Sequence, residues 1–186
     1  MKIQDLFEAP AAARIWYHGS NVKFNAFDES HLSREEAIHQ EGPGFYLTSS
    51  IEDAKMYGKY VHAVKVKLAK SRIMPEKRKL NPAFIRATIY KCPDREDALS
   101  NWHENPNIAL TKAADAIMDA YGPDQYREAM EQLWYDYYKG HEGKWLSRLR
   151  GLGWDGFILK RTGGIEHLIC FNPEILTVQE VLTFDK

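Results

Sequence analysis

A chain of 186 residues, 44% apolar and 12% aromatic, holds enough hydrophobic material for a core of ordinary size and too much for a disordered segment. With 25 basic and 26 acidic side chains the formal net charge is −1, which removes any global electrostatic case for nucleic-acid binding. Two cysteines, Cys92 and Cys170, without CxxC spacing, argue against a disulfide framework and a zinc site and fit a reducing compartment.

Residues 1–10 predict a short helical tail, with Ile3, Leu6 and Phe7 on one face and Pro10 ending it. This start lacks the apolar run of a signal peptide, and no stretch approaches the roughly 20 apolar residues of a membrane span. The expectation is one domain over 1–186, cytoplasmic, monomeric and without membrane contact. Arg14 to His18 predicts a first strand. Phe24 to Gln40 predicts a loop with a helical piece from Ser33 to His39, where Ser33 and Glu36 have capping-box spacing. The turn Gly42-Pro43-Gly44 feeds a strand from Phe45 to Thr48. Ser50 is placed to cap a helix from Ile51 to Tyr57, which Gly58 stops. Val64, Val66 and Leu68 alternate with Lys65 and Lys67, which predicts a strand over Val61–Leu68 with one solvated face. The basic run of Lys65, Lys67, Lys70, Arg72, Lys77, Arg78 and Lys79 reads as that solvated edge and the loop after it.

Asn81-Pro82 opens another helix as cap and first residue. Residues 94–150 read as a helical insertion. Ile108, Leu110, Ala113, Ala114 and Ile117 lie at helical spacing, as do Tyr126, Met130, Leu133, Trp134 and Tyr137, with Gly122-Pro123 between the two sets. A third short helix is expected from about Lys144 to Arg150. Strand patterns return at Gly156–Lys160, Ile165–Phe171 and Thr177–Phe184. Strands, then helices, then strands argue for an α+β class.

Three groups carry chemistry. His18-Gly19-Ser20 sits at a strand end, where an imidazole reaches a ribose hydroxyl and a glycine lets a ligand amide approach the backbone. Tyr46 and Tyr57 stand on a strand and the following helix, so their rings can flank a flat cation; each face is worth roughly 0.5–2 kcal/mol. Glu166 alternates with Leu168 and Cys170 on an apolar strand, where a buried carboxylate needs a partner. Bland readings stay open for each: a structural histidine, core aromatics, and a glutamate on a solvated face. Gly151-Leu152-Gly153-Trp154-Asp155-Gly156 satisfies G-x-G-x-x-G but follows a helix and opens a strand, the reverse of a dinucleotide fingerprint. His31, His39, His62, His103, His141 and His167 show no ligand spacing, and no metal is expected.

Together these blocks, Tyr17–Ser20, Gly44–Tyr57 and Trp154–Pro173, resemble the His-Tyr-Glu branch of the ADP-ribosyltransferases, which includes diphtheria toxin and the poly(ADP-ribose) polymerases. His18 falls on the family's His-Gly-Ser/Thr position. Tyr46 falls on its Gly-Phe/Ile-Tyr strand, Tyr57 on the second tyrosine at the same interval, and Glu166 on the catalytic glutamate. Ala54 looks like the toxin members, and Leu152-Gly153-Trp154-Asp155-Gly156-Phe157 looks like the lead-in of bacterial and phage members.

The resemblance implies a split β-sandwich of two sheets around an NAD cleft, with a helical insertion. It implies NAD as substrate, Glu166, His18 and Tyr46 as catalytic residues, and His18, Gly19, Ser20, Tyr46, Thr48 and Tyr57 as NAD contacts. The implied reaction is cleavage of the nicotinamide–ribose bond and transfer of ADP-ribose to a macromolecular acceptor, a protein in preference to nucleic acid. A glycohydrolase, or a non-catalytic binding or virion structural protein of the same fold, stays open. One departure is Gly164, where arginine- and asparagine-modifying relatives place Glu or Gln two residues before the catalytic glutamate; this argues against an arginine-directed acceptor loop.

Overall fold

The computed structural model describes residues 14–32, 42–122 and 124–184. The expected tail at 1–10 and the helical piece at Ser33–His39 lie outside the described residues. The described residues divide into two compact units: 14–31, 44–74 and 149–184 form the first, and 32, 42–43, 75–122 and 124–148 the second.

The first unit is built on strands β1 (Ile15–Ser20), β2 (Phe45–Thr48), β3 (Tyr60–Val66), β4 (Gly156–Lys160), β5 (Glu166–Cys170) and β6 (Leu176–Thr183), with helix α1 (Ile51–Lys55) between β2 and β3. All strand pairs are antiparallel, and the order across the sheet is β4-β5-β2-β1-β3-β6. The α+β class expected from the sequence holds. The two separate sheets do not: the six strands form one sheet, and the split lies inside it. β1 runs alongside β3 for six register pairs, from Ile15↔Lys65 to Ser20↔Tyr60, yet meets β2 only at Tyr17↔Thr48. The two three-stranded halves are therefore joined by one register pair, and they part beyond it.

The alternation of strand side chains explains the core. Phe45, Leu47, Leu168, Cys170, Trp16 and Val64 fall on one face and are buried, and Val61, on the other face of β3, is buried as well. Ser50 caps α1 as expected, its hydroxyl accepting from the Asp53 N–H at 3.2 Å. The helix is shorter than its pattern suggests. It stops at Lys55, which leaves Tyr57 in the turn beyond, 58% exposed. Asp155, buried at the head of β4, accepts a paired contact from Arg72 and a third from Asn172 Nδ2 at 3.1 Å. The Gly-Trp-Asp-Gly lead-in is thereby a tie between the start of β4, the end of β5 and the turn after β3.

The second unit holds α2 (Pro82–Tyr90), α3 (Arg95–Ser100), α4 (Pro106–Tyr121), α5 (Tyr126–Tyr137) and most of α6 (Glu142–Gly151). Asn81 and Asn105 cap α2 and α4, each followed by Pro at the first helical position. α4 packs on α2, α3 and α5 through Ala109, Ala113, Ala114 and Ile117, all buried. Three alanines on one face let the neighbours approach closely. The buried Tyr138 hydroxyl donates to the Thr88 carbonyl at 2.9 Å. Among the described residues no helix is long and apolar enough to cross a membrane.

Candidate active site at the split between strands 1 and 2

The register places the candidate residues in rows. Thr48 pairs with Tyr17 on one side and His167 on the other, and Tyr46 pairs with Ile169. Alternation then puts Tyr17, Gly19, Tyr46, Thr48 and His167 on one face. Trp16, His18, Ser49 and Glu166 share the other. The named residues do not all face one way. His18 and Glu166 stand on one face of the sheet, and Tyr46 with Gly19 on the other.

Helix α1 covers the Tyr46 face, and Gly19 makes this possible. A Cβ on Gly19 would lie 1.9 Å from the Ala54 carbonyl oxygen and 2.9 Å from the Tyr57 Cβ. Gly58 has the same constraint from the other side, since its Cβ would meet the Ser20 carbonyl carbon at 2.1 Å. The glycine of the His-Gly-Ser motif is thus required first by packing. That close approach sets the turn bearing Tyr57 against β1, on the face where Tyr46 stands. Asp53 of α1 accepts from His167 Nε2 at 2.9 Å, which ties the helix to β5 as well. Thr48, buried, accepts from the Ser50 N–H at 3.2 Å, and Ser20 accepts from the Val22 N–H at 3.0 Å.

His18 occupies the gap. Its Nδ1–H donates to the Tyr46 carbonyl at 2.8 Å, a contact by a side chain where the ladder would otherwise use a backbone amide. This fixes the tautomer: Nε2 is left as an acceptor for a hydroxyl. Burial pushes the His18 pKa down to about 4, against the Tyr46 carbonyl, which raises it; neighbouring His62 lowers it further. At neutral pH the ring is uncharged.

The wall around it was not marked in the sequence. Phe24 and Phe27 lie 5.6 and 5.3 Å from the His18 ring centroid, and Phe24 stacks on His62 at 3.8 Å. His62 is fully buried and accepts the Phe24 N–H at Nε2, so its Nδ1–H donates to the His18 carbonyl. Its pKa is also lowered, chiefly by burial. The one available signal was strand pairing, since His62 is the register partner of His18.

The sign of the pH effect follows. A histidine whose folded pKa lies near 4 binds its proton less readily than in the unfolded chain, near 6.5. Its contribution is full above the unfolded value and falls as the pH drops from about 6.5 to 4, by at most about 3 kcal/mol. We expect His18→Gln, which keeps an N–H for Tyr46, to flatten the fall of Tm over that window. An unchanged slope would remove His18 from the acid response.

Glu166 opens β5. Its N–H donates to Ser49 Oγ at 2.9 Å and its carbonyl accepts the Ser49 N–H at 2.8 Å. Its carboxylate is neither unpartnered nor fully solvated. Oε2 accepts from Arg14 Nη1, and the side chain is 25% exposed. The contacts of Ser49 and Arg14 with Glu166 were not read from the sequence. Among the described residues no group of three His, Cys, Asp or Glu could hold a metal ion.

A family profile described as ADP-ribosyltransferase in polyvalent proteins matches residues 12–177, nearly the whole chain and all the candidate residues. The chain belongs to this ADP-ribosyltransferase family. The family supports an ADP-ribosyltransferase type of function in general, and its members use NAD as substrate. No curated protein matches the chain. A crystal structure of an anti-CRISPR protein is similar at 19% identity, over 95% of this ADP-ribosyltransferase chain and 100% of that one, with a TM-score of 0.35. A score that low carries no argument about function.

Proposed function

We propose that this ADP-ribosyltransferase cleaves the nicotinamide–ribose bond of NAD and transfers ADP-ribose to a macromolecular acceptor, a protein in preference to nucleic acid. The observation that carries the reading is the split itself. Where β1 leaves β2, a neutral imidazole with an acceptor nitrogen and a carboxylate share one face, while Tyr46, and Tyr57 packed against Gly19, stand on the other.

The chemistry asked of these groups is as follows. The C–N bond between ribose and pyridinium breaks with its electron pair leaving on nicotinamide, and a cation develops on the sugar. Glu166, negatively charged and fixed at the end of β5, stabilises that cation. One such preorganised group is worth on the order of 10²–10³ in rate. His18, neutral and bound to Tyr46, offers Nε2 to a ribose hydroxyl without adding a positive charge beside the cation. Tyr46 and Tyr57 hold the departing ring, and the Thr48 and Ser20 hydroxyls fix the turns that leave β2 and β1. The acceptor's lone pair then forms the new bond to the sugar, and its proton goes to solvent.

Tyr57 is 58% exposed, so its contribution lies in stacking on the ligand rather than in the core. Tyr57→Ala should raise KM for NAD roughly 3- to 30-fold, the loss of one stacked face, with kcat within a few-fold. A fall in kcat at unchanged KM would contradict the role given to it. Transfer itself is tested by incubating the protein with adenylate-labelled NAD and a cell lysate, then digesting separately with protease and nuclease. Label released by protease alone supports the proposal. Label found only in free ADP-ribose would make water the acceptor.

A further inference from the structure

We propose that Arg14 is a positioning residue for the Glu166 carboxylate, holding Oε2 so that Oε1 is presented to the substrate; this rests on the function proposed above. Arg14 stands immediately before β1, on the same face as Trp16 and His18 by alternation. Its guanidinium lies over the Trp16 ring, 4.8 Å from the centroid, and Trp16 is 4% exposed. The arginine therefore rests on an immobile indole platform. From there Nη1 donates to Glu166 Oε2.

The glutamate's backbone is already locked to Ser49 in both directions. What remains free in a glutamate is its three side-chain torsions, and Arg14 removes that freedom at the far end. A planar guanidinium with directed N–H groups does this in a way that a rotating ammonium does not.

Stability does not account for the pair. The Arg14 side chain is 52% exposed and that of Glu166 25% exposed. Ion pairs so open to water contribute little to folding. A second cation, Lys160, is the register partner of Glu166 on β4 and is exposed, yet among the described residues the ion pair of Glu166 is with Arg14. The choice of partner follows the platform, not proximity along the sheet. Holding a reacting group in place acts on the chemical step more than on ground-state binding.

The experiment compares wild type, Arg14→Gln, Arg14→Lys and Lys160→Gln for nicotinamide release from NAD, with Tm as a fold control. Arg14→Gln should lower kcat roughly tenfold or more with KM within about threefold. Its Tm should stay within a few degrees of wild type. Arg14→Lys should restore part of the rate, and Lys160→Gln should match wild type. In the protein without NAD, ¹⁵N spectra of arginine side chains should show a hydrogen-bonded Arg14 signal that is lost in Glu166→Ala. Wild-type rates in Arg14→Gln, or an Arg14 signal indifferent to Glu166, would overturn the proposal. A wild type that releases no nicotinamide overturns the parent reading and this one with it. That failure is told apart because it appears before any substitution is made.

Discussion

Glu166→Gln should lower kcat for nicotinamide release by roughly two orders of magnitude or more while KM stays within a few-fold. Glutamine keeps the length of the side chain and an oxygen for Arg14, but not the negative charge. The backbone of residue 166 is held by Ser49 whatever the side chain, so β5 and the fold should persist. In the proposed mechanism ground-state NAD is gripped by stacking at Tyr46 and Tyr57 and by the backbone at Gly19, none of which the substitution touches. The loss falls on the state in which the ribose carries positive charge. Measured kcat and KM for both proteins decide the point, and equal turnover would remove Glu166 from the mechanism.

Gly19→Ala should be severely damaging for so small a substitution. The new methyl would sit 1.9 Å from the Ala54 carbonyl oxygen, a backbone atom that cannot swing aside. Either α1 lifts from the sheet or β1 bends away from it. Overpacking of this kind costs about 1–3 kcal/mol, and contact with backbone argues for the upper end. For a chain of 186 residues this corresponds to a fall in Tm of roughly 5–10 °C. The expected functional result is larger than the stability loss, because α1 leads into the turn that bears Tyr57 and holds His167 through Asp53. NAD affinity should fall even in the fraction that remains folded. Thermal unfolding and NAD titration of the same sample separate the two effects. An unaltered Tm would show that α1 does not press on β1 as described.

The strands and the start of α1 were readable because each rests on local chemistry. Val64 and Val66 alternate with lysine, Gly44 precedes Phe45, and Ser50 is placed to cap the helix. The caps Asn81 and Asn105, each before a proline, are equally local, yet only the first was read as a helix start. The single sheet was not readable, because whether two halves join through one pair, Tyr17↔Thr48, is decided by register between distant segments. The same holds for the Arg14–Glu166 pair, 152 residues apart in sequence. Nothing near Arg14 distinguishes it from a solvated charge, and the apolar strand around Glu166 asks for a partner without naming which cation supplies it.

His62 was set aside for lack of ligand spacing. It is a buried, neutral partner of His18, visible only when β3 is laid beside β1. Gly19 was read as an opening for a ligand. Its tight fit under α1 adds a second reason for glycine that the motif alone does not contain.

Release of nicotinamide from NAD labelled in that ring decides whether this split is an NAD-cleaving site worked by Glu166. The purified wild-type protein, given NAD and a lysate as a source of acceptor, should release labelled nicotinamide in proportion to enzyme. Under the same conditions Glu166→Gln should release on the order of one hundredth as much or less. No release by the wild type, or equal release by the two proteins, would contradict the account.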